Sequence, residues 1–127
     1  MFYQRESFLK SMNKGRTYEE KASQFLSLKG YKILERNFFS LAGEIDIIAQ
    51  DKRNLVFVEV KERKKTFYSP REAVERSKRR KIVQTAKYYL LKRRVKDTPL
   101  RFDVVSIVEG EGWRVYELIK NAFCVDE

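Results

Sequence analysis

The sequence predicts a single α/β domain, residues 1–127, in which a central sheet of about five strands is flanked by helices. A chain of 127 residues can build one core but not two, and its 43% hydrophobic content argues against wholesale disorder. Five segments rich in branched and aromatic residues indicate strands, with helical patterns before and between them. Both faces of the middle hairpin are apolar, which indicates a sheet covered by helices on both sides.

The N-terminal part of the chain contains the first predicted helix. Residues 1–14 have weak periodicity, and we expect a short helix or a loose arm there. In "TYEEKASQFLSLKG", Thr17 and Glu20 have the spacing of a capping box, and Gly30 ends the helix. The residues that share its apolar face are Tyr18, Ala22, Phe25 and Leu26.

The remaining elements follow from strand patterns and helix signals. "YKILERNFF" predicts a first strand, and residues 44–50 and 55–62 predict two more, joined by the polar turn "DKRN". A helical region begins near Ser69, Pro70 and Glu72, and Ser77 is the expected cap of a longer helix that runs through Arg94. Its core side is Ile82, Val83, Ala86, Tyr89 and Leu90. "RFDVVSIV" and "WRVYELI" predict the last two strands, around "EGEG".

Charged residues interrupt the two strands of the middle hairpin. Because side chains alternate along a strand, a turn centred on residues 52–53 places Asp46 opposite Glu59, and Glu44 opposite Lys61. The other face of the hairpin stays apolar, and its predicted members are Ile45, Ile47, Ala49, Val56, Val58 and Val60. The hairpin therefore carries an acidic patch on one face of an otherwise apolar sheet.

Two carboxylates side by side need compensation. At ~4 Å and an effective dielectric constant of ~20, they repel by about 4 kcal/mol. A shared proton would relieve this repulsion, and so would a divalent cation, for which oxygen ligands favour Mg²⁺ or Mn²⁺. Lys61 would then orient an attacking water or help to deprotonate it. The alternative is a solvated end of an edge strand, with Asp46 in an ordinary ion pair, but the strand's central position disfavours this interpretation.

Composition restricts the chemistry and suggests a partner. The absence of histidine excludes a Ser-His-Asp triad and histidine-ligated zinc, and the single cysteine, Cys124, permits no internal disulfide. The formal net charge of +10 favours a polyanionic partner such as nucleic acid, although a solubilising surplus of charge explains it equally well. Without an apolar membrane span or signal peptide, we expect a cytoplasmic protein that contacts no membrane.

Several blocks of the sequence together resemble the YraN family. They are "GRTYEEKASQFLSLKGYKILERNF", "GEIDIIAQD", "LVFVEVKER", "REAVERSKRRKIVQTAKYYL", "RFDVVSIV" and "NAF", within residues 14 to 124. These small bacterial proteins are similar to Holliday-junction resolvases of the PD-(D/E)XK nuclease-like superfamily. The resemblance implies a restriction-endonuclease-like core with a mixed sheet. Tyr18 departs from the family, which usually has a second glycine before the first acid.

The resemblance also implies roles for individual residues. Asp46 matches the metal-binding aspartate, Glu59 and Lys61 match the (D/E)-x-K pair, and Glu19 matches the acid on the first helix. The implied activity is Mg²⁺- or Mn²⁺-dependent cleavage of branched or structured DNA, with Asp46, Glu59 and Glu19 as metal ligands. The alternative is a binding module that keeps the nuclease fold but has no turnover. Related resolvases work as dimers, so a homodimer is a further expectation, although the sequence identifies no surface for it.

Basic residues cluster downstream of the acidic hairpin and are the predicted nucleic-acid contacts. They are Arg63, Lys64, Lys65, Lys78, Arg79, Arg80 and Lys81. Contacts of this kind with phosphates give affinity and salt dependence but little sequence specificity. Lys78 shares a helix face with Ile82 and Ala86, so we expect it to lean toward the sheet and the acids.

Overall fold

A computed structural model describes residues 3–8, 17–64 and 75–125, with the side chains of residues 3–8 and of Lys64 outside the description. The described part of the chain forms six strands and two helices. In chain order they are β1 (Tyr3–Phe8), α1 (Tyr18–Leu28), β2 (Lys32–Phe39), β3 (Glu44–Asp51), β4 (Asn54–Lys64), α2 (Arg76–Lys92), β5 (Leu100–Gly110) and β6 (Trp113–Phe123).

The strands form one mixed sheet in the order β1-β6-β5-β4-β3-β2. Only the pairing of β4 with β5 is parallel among these strands, and α2 makes the crossover between them. The predicted α/β class and mixed sheet are therefore confirmed. The structure adds one strand, because Tyr3–Phe8 pairs with β6 where a helix or a loose arm was expected.

The two helices cover opposite faces of the sheet. Helix α1 packs on a core formed by Ala22, Phe25, Leu26, Ile47, Val56, Val105 and their neighbours. Helix α2 packs on a second core formed by Ile82, Ala86, Tyr89, Ile48, Phe57, Val104 and their neighbours. Among the described residues, neither helix combines the length and the apolar character that a membrane crossing requires.

The predicted start of α1 is confirmed, whereas that of α2 is wrong. Thr17 caps α1 by accepting a hydrogen bond from the Glu20 amide at 3.2 Å, and Gly30 follows the helix in a left-handed conformation, as predicted. The predicted Ser77 cap is wrong. Glu75 occupies the N-cap position of α2 without a side-chain cap bond, and Ser77 already lies in the first turn. The predicted helical start at residues 69–72 lies outside the described residues.

Candidate active site

The register of the central hairpin brings the predicted acids together. Ile48 pairs with Phe57 and Ile47 with Val58, so the next position of β3, Asp46, comes opposite Glu59 as predicted. The backbone ladder ends there. The Asp46 Oδ2 atom accepts a hydrogen bond from the Val60 amide at 2.8 Å. The Asp46 side chain thus satisfies a backbone donor of β4 where the pairing of the two strands stops.

Strand β3 does not alternate strictly between the two faces of the sheet around Asp46. Ile45 and Ile48 belong to the same core under α2, although strict alternation would place them on opposite faces. The predicted grouping of Ile45 with Ile47 on the other face is therefore wrong. On the neighbouring strand, Asn37 lies between the pairs that Phe38 and Arg36 form with β3, and it has a left-handed φ of 53°. The left-handed residue and the loss of alternation thus occur at the same place in the sheet.

Asp46 and Glu59 form a carboxylate pair shielded from water. Glu59 is buried at 3% exposure, and Asp46 is half-buried. Burial, followed by the hydrogen bond and the charge of Glu59, raises the pKa of Asp46 to about 8. A raised carboxyl pKa means that the pair holds a proton in preference to two negative charges. At neutral pH the Asp46 carboxyl therefore holds a proton more readily than an ordinary aspartate.

Two lysines approach this pair from different elements. The Nζ atom of Lys78 lies 2.5 Å from Glu59 Oε2, and that of Lys61 lies 3.8 Å from the same oxygen. Burial and the nearby Lys78 charge lower the pKa of Lys61. For Lys78, burial acts in the opposite direction, but the contact with Glu59 outweighs it and the pKa is raised. The predicted lean of Lys78 toward the acids is thus observed.

The other predicted acids stand apart from this pair. Glu44 is exposed and close enough for its charge to contribute to the raised pKa of Asp46. Glu19 lies half-buried in the first turn of α1, which starts near the end of β5, because the Tyr18 hydroxyl bonds Glu109 at 3.0 Å. Within the described stretches, no group of three or more acidic or cysteine side chains is gathered to hold one ion. Glu19 as a metal ligand remains a prediction.

The predicted basic contacts lie on two segments that flank the acids. Lys78, Arg79, Arg80 and Lys81 occupy the first two turns of α2, where Arg80 and Lys81 are exposed. Arg63 is half-buried near the end of β4, and Lys64 is the last residue of that strand. Lys65 lies outside the described residues.

Sequence reasoning missed a buried polar row beside the acids. Lys61 pairs with Ser106, and Ser106 pairs with Glu117, so these residues form a line across three strands. Ser106 and Glu117 are both about 1% exposed. Their positions, two residues beyond Val104 and two before Ile119, place them on the face that carries Glu59. The signal was a polar residue at an inward position of each of the last two strands.

A second buried network lies on the opposite face of the sheet. The Arg101 guanidinium donates to Asp51 at 2.8 Å, to both Asp103 oxygens at 2.9 and 3.0 Å, and to the Tyr31 hydroxyl at 2.8 Å. The backbone amide of Asn121 also donates to Asp103, which is fully buried. Every partner belongs to the framework under α1, so this network stabilises the fold and does not extend the candidate site.

Comparison with known proteins identifies relatives along most of the chain. Residues 18–107 match the family model described as "Uncharacterised protein family UPF0102". A UPF0102 protein of Persephonella marina is 48% identical over 114 residues, which cover 89% of this chain and 95% of the relative. One from Lachnoclostridium phytofermentans is 50% identical over 119 residues, with 88% of this chain and 96% of the relative covered.

Proposed function

This chain belongs to the UPF0102 family, the YraN family that its sequence resembles, and we propose that it is a metal-dependent endonuclease acting on branched or structured DNA. The observation that carries the proposal is the shielded pair of Asp46 and Glu59 with Lys61 beside it. A fold needs no such pair for stability, because burying two acids together is unfavourable. Buried carboxyl groups whose pKa is strongly raised are typical of functional sites.

The donor set fits a divalent cation that prefers oxygen ligands. Asp46 and Glu59 offer carboxylate oxygens only, and the chain has no histidine to direct the site toward zinc. The raised pKa of Asp46, which burial and the neighbouring Glu59 cause, is consistent with a carboxylate pair that a cation would stabilise. Asp46 and Glu59 would hold Mg²⁺ or Mn²⁺, and Glu19 is the third proposed ligand. When bound, such a cation neutralises phosphate charge and acidifies a water molecule.

The remaining groups of the site act on the attacking water and on the phosphate. Lys61 holds the water in line with the phosphorus atom. Because its pKa is lowered, a larger fraction of Lys61 than of an ordinary lysine is neutral and able to accept the water proton. The hydroxide oxygen forms a new bond to phosphorus, and the bond from phosphorus to one deoxyribose oxygen breaks. That oxygen leaves with a proton from solvent. The basic start of α2 neutralises the neighbouring phosphates.

A cleavage assay tests the proposal directly. Four-way junction, single-stranded and duplex DNA are incubated with the protein and Mg²⁺ or Mn²⁺, beside matched reactions in EDTA. We expect metal-dependent nicking of the junction by the natural chain, and loss of nicking by Glu59→Gln and Lys61→Ala. Glu62→Gln, on the adjacent residue of β4 and exposed, is the matched control and should retain activity. Metal-independent cleavage, or equal cleavage by all variants, would contradict the assigned roles.

A non-catalytic nucleic-acid-binding module is the second candidate. Two observations favour it: Lys78 already neutralises Glu59 at 2.5 Å, and three carboxylates are not gathered within the described residues. In that case the acids and lysines form a static polar cluster beside a DNA-binding surface. DNA binding without cleavage of any substrate, together with no change in melting temperature on addition of Mn²⁺, would support this second candidate.

A further inference from the structure

The connection between β2 and β3 exposes apolar side chains beside the candidate site. Leu41 is fully exposed and Phe39 is mostly exposed. The loop leads through Gly43 directly into Glu44 and Asp46. Single exposed leucines are common on protein surfaces and mean little alone. Here the position is informative, because a substrate bound at Asp46 must pass close to this loop.

The loop is held as a rigid tip. Ser40 and Gly43 exchange backbone hydrogen bonds at 2.8 and 3.3 Å, which leaves Leu41 and Ala42 at the apex. The Ala42 amide donates to the Ser40 hydroxyl oxygen at 3.1 Å, so the side chain of Ser40 supports the apex from within. A preorganised tip loses little conformational entropy when it inserts into a partner.

Helix α2 anchors this tip. The Ser40 and Thr85 hydroxyl oxygens are 3.1 Å apart, and Thr85 donates its own proton to the Lys81 carbonyl. The two hydroxyl groups thus link the loop to the backbone of α2. A Cβ atom at Gly43 would lie 3.4 Å from the Lys81 Cβ and 3.6 Å from the Thr85 hydroxyl, so the backbone approaches the helix closely. Lys81 is one turn beyond Lys78, the residue that contacts Glu59, so one helix positions both the tip and the site.

We propose that Leu41, assisted by Phe39, is an apolar wedge that contacts unpaired or unstacked bases of nucleic acid beside the candidate active site. This inference rests on the proposed function and adds the feature of the substrate that would be recognised. Lys81 of α2 lies against the base of the tip and can complement a phosphate, whereas a leucine side chain can complement an exposed base face. Base faces are accessible at branch points and single-stranded ends and are hidden in continuous duplex. The wedge thus favours branched DNA over duplex.

The test compares two exposed leucines on opposite sides of the sheet. Leu41→Ser removes the wedge, and Leu28→Ser, on the exposed side of α1, is the matched control. Fluorescence anisotropy in EDTA measures affinity for a four-way junction and for a duplex of the same length, without interference from cleavage. We expect Leu41→Ser to weaken junction binding several-fold and duplex binding less than twofold, because an apolar wedge contacts bases only where they are unstacked. Leu28→Ser should change neither.

A fluorescent base reports the wedge itself. With 2-aminopurine at the branch point, binding of the natural chain should raise the emission as the base unstacks, and Leu41→Ser should not. Equal losses on junction and duplex, or no loss, would overturn the wedge while leaving the nuclease proposal intact. A dimer in solution that Leu41→Ser dissociates would also overturn it, because the tip would then serve a second copy of the chain. Failure of the natural chain to bind any DNA would overturn both proposals.

Discussion

Replacing Asp46 by asparagine should make the metal-free protein more stable at neutral pH. The pKa of Asp46 is about 8 in the folded chain against an ordinary 3.8. Each unit of difference corresponds to about 1.4 kcal/mol, so keeping a proton on the folded Asp46 at pH 7 lowers the free energy of unfolding by at most about 4 kcal/mol. Asparagine has no charge to bury. Its oxygen can still accept the Val60 amide hydrogen, and its amide can donate to Glu59.

The stabilisation by Asp46→Asn should increase with pH. Between pH 4 and pH 8, the folded chain keeps a proton at Asp46 that the unfolded chain has released. The free energy of unfolding of the natural chain therefore falls as pH rises through that window, by up to about 1.4 kcal/mol per unit from this group. Asp46→Asn lacks this contribution, so the variant's advantage in stability should be small at pH 4 to 5 and should grow toward pH 8.

Urea unfolding in EDTA at pH 5, 6, 7 and 8 measures the effect. Asp97→Asn is the matched control, because Asp97 is an exposed loop residue with a left-handed φ of 53° that asparagine also tolerates. Addition of Mn²⁺ at pH 7 should then raise the melting temperature of the natural chain and not that of Asp46→Asn. If the variant's advantage is the same at every pH, or if the variant is less stable at pH 8, the reasoning about the buried pair is refuted.

Two further predictions concern the basic surface and the second polar network. Replacing all four residues 78–81 by alanine should make the plot of log affinity for duplex DNA against log salt concentration less steep. The slope should change by about 0.9 for each phosphate that the variant no longer neutralises, measured by anisotropy between 50 and 200 mM salt. An unchanged slope would remove α2 from the DNA interface. Arg101→Met should lower the free energy of unfolding by about 3–5 kcal/mol in urea, because Asp103 stays buried without its cation. Cleavage by the folded fraction should be unchanged, and selective loss of cleavage would place this network in the active site.

Periodicity predicted most of the fold and the central pair of acids. Strand alternation and a short polar turn fix the register of a hairpin, so Asp46 and Glu59 could be placed opposite each other from sequence alone. Helical spacing likewise placed Lys78 toward the sheet. These features depend on neighbours in one hairpin or one helix, where local patterns are sufficient.

The features that sequence reasoning missed depend on distant partners. Residues 3–8 form a strand because the free edge of β6 is available, and no local pattern records that edge. The shift of Ile45 to the other core occurs opposite the left-handed Asn37 of a different strand. Glu117 is one acid among many in the sequence until the pairing of β5 with β6 places it beside Ser106. Tertiary pairing, which local propensity does not encode, determines each of these positions.

Replacement of Lys78 distinguishes a metal-free enzyme from a static polar cluster without metal affinity. In the metal-free chain its ammonium group neutralises Glu59, although its side chain is about half exposed. If Glu59 is a metal ligand, this ion pair competes with the cation, and Lys78→Met should bind Mn²⁺ more tightly. An exposed ion pair contributes up to about 1 kcal/mol, and the burial of Glu59 places this pair at the upper end of that range, so the expected gain in affinity is about fivefold. Titration calorimetry at pH 8 measures it, and Arg80→Met, two residues along the helix and exposed, should leave affinity unchanged. Weaker Mn²⁺ binding by Lys78→Met would show that Lys78 holds Glu59 in place for the metal. Absence of binding by the natural chain would favour the static cluster.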